Sequence, residues 1–204
     1  MTDRVLKTSR FLSQFRRFWF SCRASIAVET ALAFPIVLAI GSLCADIYTV
    51  GLERTHMEQR AGAIASILAM QQKLDQKGLQ GLLDKVLPAE GAGNYQLLIS
   101  NVRQTGELYW QLSRGTAESL CVESETRPGE EYLPELPERD REKGSKNTSM
   151  IVVEICRQGK DVGLLGGMSL GGLLHASSVS RVAINVVELD EVLRKEAQLE
   201  EEEK

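Results

Sequence analysis

From Ser25 to Ala45 the chain carries one charged side chain, Glu29, in an otherwise apolar or small-residue run. A helix over that stretch is about 31 Å long, roughly the hydrocarbon thickness of a bilayer. The flanking charge is lopsided. Residues 1–24 hold Arg4, Lys7, Arg10, Arg16, Arg17 and Arg23 against Asp3, a local +5, while the rest of the chain is at -9, so the whole-chain value of -4 hides an asymmetry. A basic flank before one spanning segment keeps the N-terminus cytoplasmic and sends the following chain across. The pattern predicts a basic cytoplasmic leader over 1–24 and a transmembrane helix over 25–47.

Two other readings fit an apolar run of this kind. Ala39 and Gly41 have the spacing of a signal-peptide cleavage site before Ser42, but Glu29 and Pro35 interrupt a stretch that a signal peptide keeps uniform. A buried core helix is the other, and it leaves the cationic leader without a role.

Glu29 is the most informative single residue. A carboxylate among membrane residues costs roughly 2.5–3.5 kcal/mol on insertion scales and by default marks function. A bland alternative exists, since Glu29 follows Arg23 by six residues and could reach the interface. A functional carboxylate needs a cation, and the apolar run supplies none. Cutting the chain before Ser25 would create one, the new α-amino group. Glu29 would then be the fifth residue, placed to pair with the amine of its own or a neighbouring chain.

The stretch Arg23-Ala24-Ser25-Ile26-Ala27-Val28-Glu29-Thr30-Ala31-Leu32-Ala33-Phe34-Pro35 resembles the N-terminal signature of TadE/TadF minor pseudopilins of tight-adherence (Flp-type) pilus systems. That signature has a basic leader, a small residue before the cut, glutamate fifth in the mature chain, then Ala, and Pro six residues past the glutamate. Ala24 stands where Gly is usual, and Thr30 replaces the usual aromatic or large apolar residue. The resemblance implies cleavage between Ala24 and Ser25 by an inner-membrane prepilin peptidase. It further implies assembly contacts through Glu29 and Pro35 with other pilus and pseudopilin subunits. TadF-type members carry a cysteine in a strand similar to Val153-Glu154-Ile155-Cys156, which leans the resemblance toward that branch.

Beyond the apolar run, Met57, Ala61, Ile64 and Leu68 recur at helical spacing. They predict an amphipathic helical extension over 48–88, with breaks open at Gly51 and Gly62 and a second short helix from Gly78 to Leu87 ending at Pro88. Tyr95–Arg103 and Glu107–Leu112 read as a hairpin around Gln104-Thr105-Gly106. Leu120–Val122, Met150–Arg157 and Ser178–Leu189 read as further strands. The expected fold is α+β, a long pilin-like N-terminal helix followed by a small antiparallel-sheet periplasmic domain over 89–190. Residues 124–149, with three prolines and dense charge, read as a flexible loop, and 191–204 as an acidic tail.

Of the four cysteines, Cys22 falls in the leader and Cys44 at the outer end of the apolar run. Cys121 and Cys156 fall in the exported domain, where an oxidising compartment favours their pairing over two separate buried thiols. No catalytic, metal or cofactor pattern emerges. His56 and His175 are isolated, and the Gly/Leu-rich segment 163–174 lacks the Lys-Ser/Thr of a phosphate loop, reading instead as a flexible apolar loop or a contact surface. The pI near 5.4 and 5% aromatic content argue against a nucleic-acid partner. The chain therefore reads as a non-enzymatic, single-pass inner-membrane subunit of pilus assembly. The rival is an unprocessed, signal-anchored periplasmic binding or scaffold protein.

Overall fold

The computed structural model describes residues 22–87, 94–121, 124–134, 136–137, 148–159, 162, 172–183 and 185–199. The elements in order are α1 (Cys22–Ala69), β1 (Lys73–Leu74), α2 (Gln76–Val86), β2 (Tyr95–Arg103), β3 (Leu108–Gly115), β4 (Ser149–Gln158), β5 (Leu173–Arg181), β6 (Glu188–Leu189) and α3 (Glu191–Glu196). The fold class is α+β, a long apolar N-terminal helix followed by a small antiparallel sheet. The chain divides into two units, Met1–Ala45 and Asp46–Lys204.

The first unit is described from Cys22 and is helical throughout. Its Ala, Leu and Ile content favours helix, and Pro35 sits inside it. Proline brings no N–H, so the helix forgoes one i→i−4 bond there. Ser42 donates its hydroxyl to the Ala39 carbonyl at 2.9 Å, which satisfies a polar group within the helix itself.

The second unit begins with the remainder of α1, whose residues change character at Asp46. Met57, Ala61, Ile64, Ala65, Leu68 and Ala69 are all buried, while Arg54 and Glu58 pair on the opposite, exposed face. That division is what a 3.6-residue period produces when one stripe meets a sheet. The sheet has the order β3-β2-β4-β5, antiparallel throughout. Because side chains alternate along a strand, Leu97, Ile99, Ile151, Val153, Ile155, Trp110, Leu112 and Ala176 join the helix stripe in one core. Trp110 donates its indole N–H to the Val187 carbonyl at 2.8 Å, satisfying its one polar atom inside that core.

The smaller elements close the edges of the core. Lys73-Leu74 and Glu188-Leu189 form a two-residue parallel pair. Asp190 joins α2 to α3. Its Oδ1 accepts the Leu193 N–H at 2.8 Å as the N-cap of α3, and its Oδ2 accepts the Gln76 N–H at 3.0 Å. Those two backbone donors, that of Leu193 first, hold its carboxyl below the ordinary range.

Several expectations need correction. The helix runs unbroken through Gly51 and Gly62 to Ala69, and the expected short second helix is present as α2, but the two-residue strand β1 between them was not expected. Gly62 is where α1 approaches β5 closely. A Cβ there would stand 3.6 Å from the Ser178 hydroxyl. Leu120 and Cys121 lie in a bend rather than a strand, and Val122 lies outside the described residues. The single strand expected over Ser178–Leu189 is two, because β5 starts at Leu173 and the chain turns before β6. Val182 and Ala183 send their N–H groups to the Ser149 and Ala69 carbonyls, which ends the β5 ladder.

The expected flexible and solvated segments are also partly fixed. Within 124–149, Ser124 and Tyr132 are buried, whereas 135 and 138–147 lie outside the described residues. Residues 191–199 are not a solvated tail. Leu193 and Ala197 are buried in the main core, and residues 200–204 lie outside the described set. Of the Gly/Leu-rich segment, Leu173 and Leu174 belong to β5, and 163–171 lie outside the described residues.

The Gly62 contact gives a graded expectation. Gly62→Ala places its methyl at ordinary contact distance and should raise stability by up to about 1 kcal/mol through helix propensity. Gly62→Leu should lower stability by about 1–3 kcal/mol by forcing α1 off β5. Urea unfolding followed by circular dichroism separates the two.

Candidate functional site

Residues 28–47 of α1 present apolar side chains on every side of the helix. Val28, Leu32, Phe34, Ile36, Val37, Leu38, Ile40, Leu43 and Ile47 are each 41–66% exposed. A helix of a water-soluble protein keeps such residues to one stripe, and one that is apolar all round needs an apolar medium. This helix is long and apolar enough to cross a membrane, as a single-pass anchor or a signal sequence would be.

The expected site residues of this segment fall as follows. Ala24 and Ser25 lie within α1 near its described start, with side chains outside the described residues. Glu29 is exposed on the helix. At 100° per residue it shares a face with Leu32, Ile36, Ile40, Leu43 and Ile47. Pro35 lies 600° further round, on a different face. Glu29 and Pro35 are thus brought into one helix but not onto one surface of it. Cys44 is a free, exposed thiol on the same segment.

A second constellation lies in the other unit, on the sheet face opposite α1. Facing residues there are Gln96, Leu98, Ser100 and Val102 of β2, Val152, Glu154 and Cys156 of β4, and His175, Ser177 and Val179 of β5. Residues after β3 cross this face as a strap, fixed by side chains of the sheet. Gln96 Oε1 accepts the Leu120 and Cys121 N–H groups at 2.6 and 2.8 Å, and its Nε2 donates to Glu125 at 2.8 Å. Gln111 Nε2 donates to the Ser124 carbonyl at 2.8 Å, and its Oε1 accepts the Thr126 N–H at 3.2 Å. Cys121 and Cys156 form a disulfide with Cα atoms 5.6 Å apart, so the pair expected from the sequence is joined.

Beneath the strap sits a buried carboxylate, Glu154, at 2% exposure. His175 Nε2, on the half-exposed imidazole, is 3.5 Å from its Oε1. The hydroxyls of Ser124 and Tyr132 stand near the carboxylate, although Oε2 makes no hydrogen bond of ordinary geometry. Burial alone would raise the Glu154 pKa, but the contacts with His175, Ser124 and Tyr132 outweigh it and hold the carboxyl below its usual range. Burial, and then the Glu154 charge, push the Tyr132 phenol well above its usual value.

Serine, histidine and a carboxylate are all present, yet their order differs from that of a catalytic triad. The carboxylate is the hub, and the buried Ser124 has the acid rather than the imidazole as its neighbour. No group of three or more His, Cys, Asp or Glu that could hold a metal occurs among the described residues. The sequence reading missed this cluster, although one signal was available. Glu154 interrupts the otherwise apolar Ile151–Ile155 run, as a carboxylate in a central strand must find partners.

No protein-family model, curated protein or solved structure matches the chain.

Two measurements follow from these sites. Replacing Cys121 and Cys156 together by Ser should cost about 3–4 kcal/mol, from the 35-residue separation they close. Denaturant unfolding with and without reductant checks this, and a native chain indifferent to reductant would contradict it. In alkaline carbonate extraction the full chain should stay with membranes, and a chain starting at Asp46 should move to the aqueous fraction. A full chain extracted by carbonate would rule against the span.

Proposed function

We propose that this chain is a TadE/TadF-like minor pseudopilin, leaning to the TadF type, that takes part in assembling a Flp-type tight-adherence pilus. In this reading a prepilin peptidase of the bacterial inner membrane removes residues 1–24. Residues 25–47 then hold the subunit in the membrane, with the N-terminus on the cytoplasmic side and the disulfide-linked sheet unit in the periplasm. The observation that carries the reading is the apolar helix surface with one carboxylate, Glu29, in it.

The chemistry of that carboxylate supports the role. Cleavage before Ser25 creates an α-amino group four residues upstream of Glu29. In a medium of low dielectric an amine and a carboxylate attract strongly, while either alone is costly. Pairing between neighbouring subunits would fix their stagger, because only one axial offset brings the two charges together. Nothing in this role calls for a catalytic group or cofactor in the sheet unit, whose part is to contact other pilus and pseudopilin subunits. The Cys121–Cys156 bond fits an oxidising compartment on the far side of the membrane.

N-terminal sequencing of the membrane-bound protein tests the reading. A first residue of Ser25 is expected. An intact Met1 would instead identify an unprocessed signal-anchored scaffold, and Ser42 in a soluble fraction a secreted protein. In the same cells Glu29→Ala should leave cleavage in place and reduce filament assembly. Normal piliation in that variant would remove the proposed pairing role.

A further inference from the structure

Residues 124–134 cross the outer sheet face with different restraints at their two ends. At one end the strap is held covalently through Cys121 to Cys156 in β4. At the other it is tied to the rim of β3 by backbone bonds, Gly129 N–H to the Leu108 carbonyl at 2.8 Å, Leu108 N–H to Glu130 at 2.9 Å and Tyr132 N–H to Gly106 at 2.9 Å. Between these ends the strap covers a buried charge. Ser124 and Tyr132 roof the Glu154 carboxylate, and His175, on the edge strand β5, closes it from the side with Nε2 at 3.5 Å.

We propose that His175, Glu154 and Tyr132 form a pH-sensitive latch on the strap of residues 124–134, closed when His175 carries a proton and Glu154 does not. The physical basis is that a buried carboxylate needs a compensating charge. Among the described residues that task falls to His175. On β2, Gln96, Leu98 and Ser100 face Glu154 and do not titrate. On β5, Ser177 is directly opposite, and Arg181 lies further along the strand, opposite Met150. On the strap, Glu125 is taken up by Gln96, and Glu130 accepts the Arg127 backbone N–H. Glu131 pairs its backbone with Glu107, and Tyr132 stays protonated at all working pH values.

The latch should open both when pH falls far enough to protonate Glu154 and when it rises far enough to deprotonate His175. Glu154 has its folded pKa lowered, so its contribution is present above the ordinary carboxylate range and is lost as pH falls through the lowered value. At the other end, rising pH takes the proton from His175 at a point set by the carboxylate beside it. Above that the carboxylate keeps a hydrogen-bond donor but loses its countercharge, and the roofing Tyr132 hydroxyl and Ser124 carry more of the burden. The rim bonds of residues 129–132 then open more often, while the disulfide keeps the other end in place. Opening would uncover Leu98, Val102 and Val152, apolar groups of the outer face.

Hydrogen exchange on the full chain in lipid nanodiscs tests this, read by mass spectrometry on peptides spanning 124–134 and corrected for intrinsic exchange at each pH. Strap exchange is expected to be about three to ten times faster at pH 8 than at pH 5.5, since one pK unit of coupling is tenfold. Amides of β2 and β4 serve as the unchanged reference. His175→Gln, at a half-exposed position that tolerates substitution, should bring that ratio to about one with the sheet still protected. Glu154→Gln, a neutral isostere, should do the same. Equal corrected exchange at the two pH values in the native chain overturns the latch. So does a native ratio that survives in His175→Gln.

Discussion

The constraint on which the rest depends is the medium that the helix surface of residues 28–47 requires. Nine large apolar side chains there are exposed at once and on all sides. Each would lose about 1.5–3 kcal/mol of favourable transfer if left in water, and nothing among the described residues buries them. A bilayer removes the problem without any tertiary contact. It also explains why the charges cluster at the ends of the segment, why Glu29 is the exception that needs a purpose, and why α1 changes character at Asp46. From there the same helix must satisfy a different rule, burying one stripe against a sheet and showing water the other.

Much of this was legible because the strongest signals were periodic. The apolar run fixed one long element without periodicity, and Met57, Ala61, Ile64 and Leu68 fixed the face that meets the sheet. Tyr95–Arg103 was located to the residue because its apolar character and its bounding turns agree. The errors share a cause: polar or small residues whose roles are set by distant partners. Leu173 and Leu174 read as the end of a Gly/Leu-rich loop and Ser178 as the start of a strand, yet pairing with β4 carries that strand back to Leu173. Residues 191–204 read as a tail because acidic residues outnumber apolar ones there, while a single cap, Asp190, and two buried side chains, Leu193 and Ala197, hold residues 191–199 on the core.

The candidate sites divide in the same way. Glu29 and Pro35 are conspicuous in the sequence because an apolar run sets off any polar residue or helix breaker, and their role in assembly belongs to the proposal. The pairing of Cys121 with Cys156 was legible from compartment logic, although the strand context assigned to Cys121 was wrong. The cluster around Glu154 was not found. Its members come from β4, β5 and the strap, separated by up to 51 positions between Ser124 and His175, and only the register of the sheet and the strap brings them together. Gln96 and Gln111 are a similar case. In sequence they are ordinary polar residues, whereas in the fold they supply the backbone partners that allow an irregular strap to lie over a sheet.

The central claim is that α1 meets lipid in one unit and protein in the other. A spin-label scan along residues 28–69 of the full chain in nanodiscs tests it directly, measuring access to oxygen, which concentrates in lipid, and to a water-soluble nickel chelate. Labels over 28–45 should show high oxygen access on every face and no helical period. Labels beyond Asp46 should show a 3.6-residue period with minima at Met57, Ala61, Ile64 and Leu68. A burial period running through 28–45, or chelate access at the middle of that segment, would contradict a membrane-spanning helix.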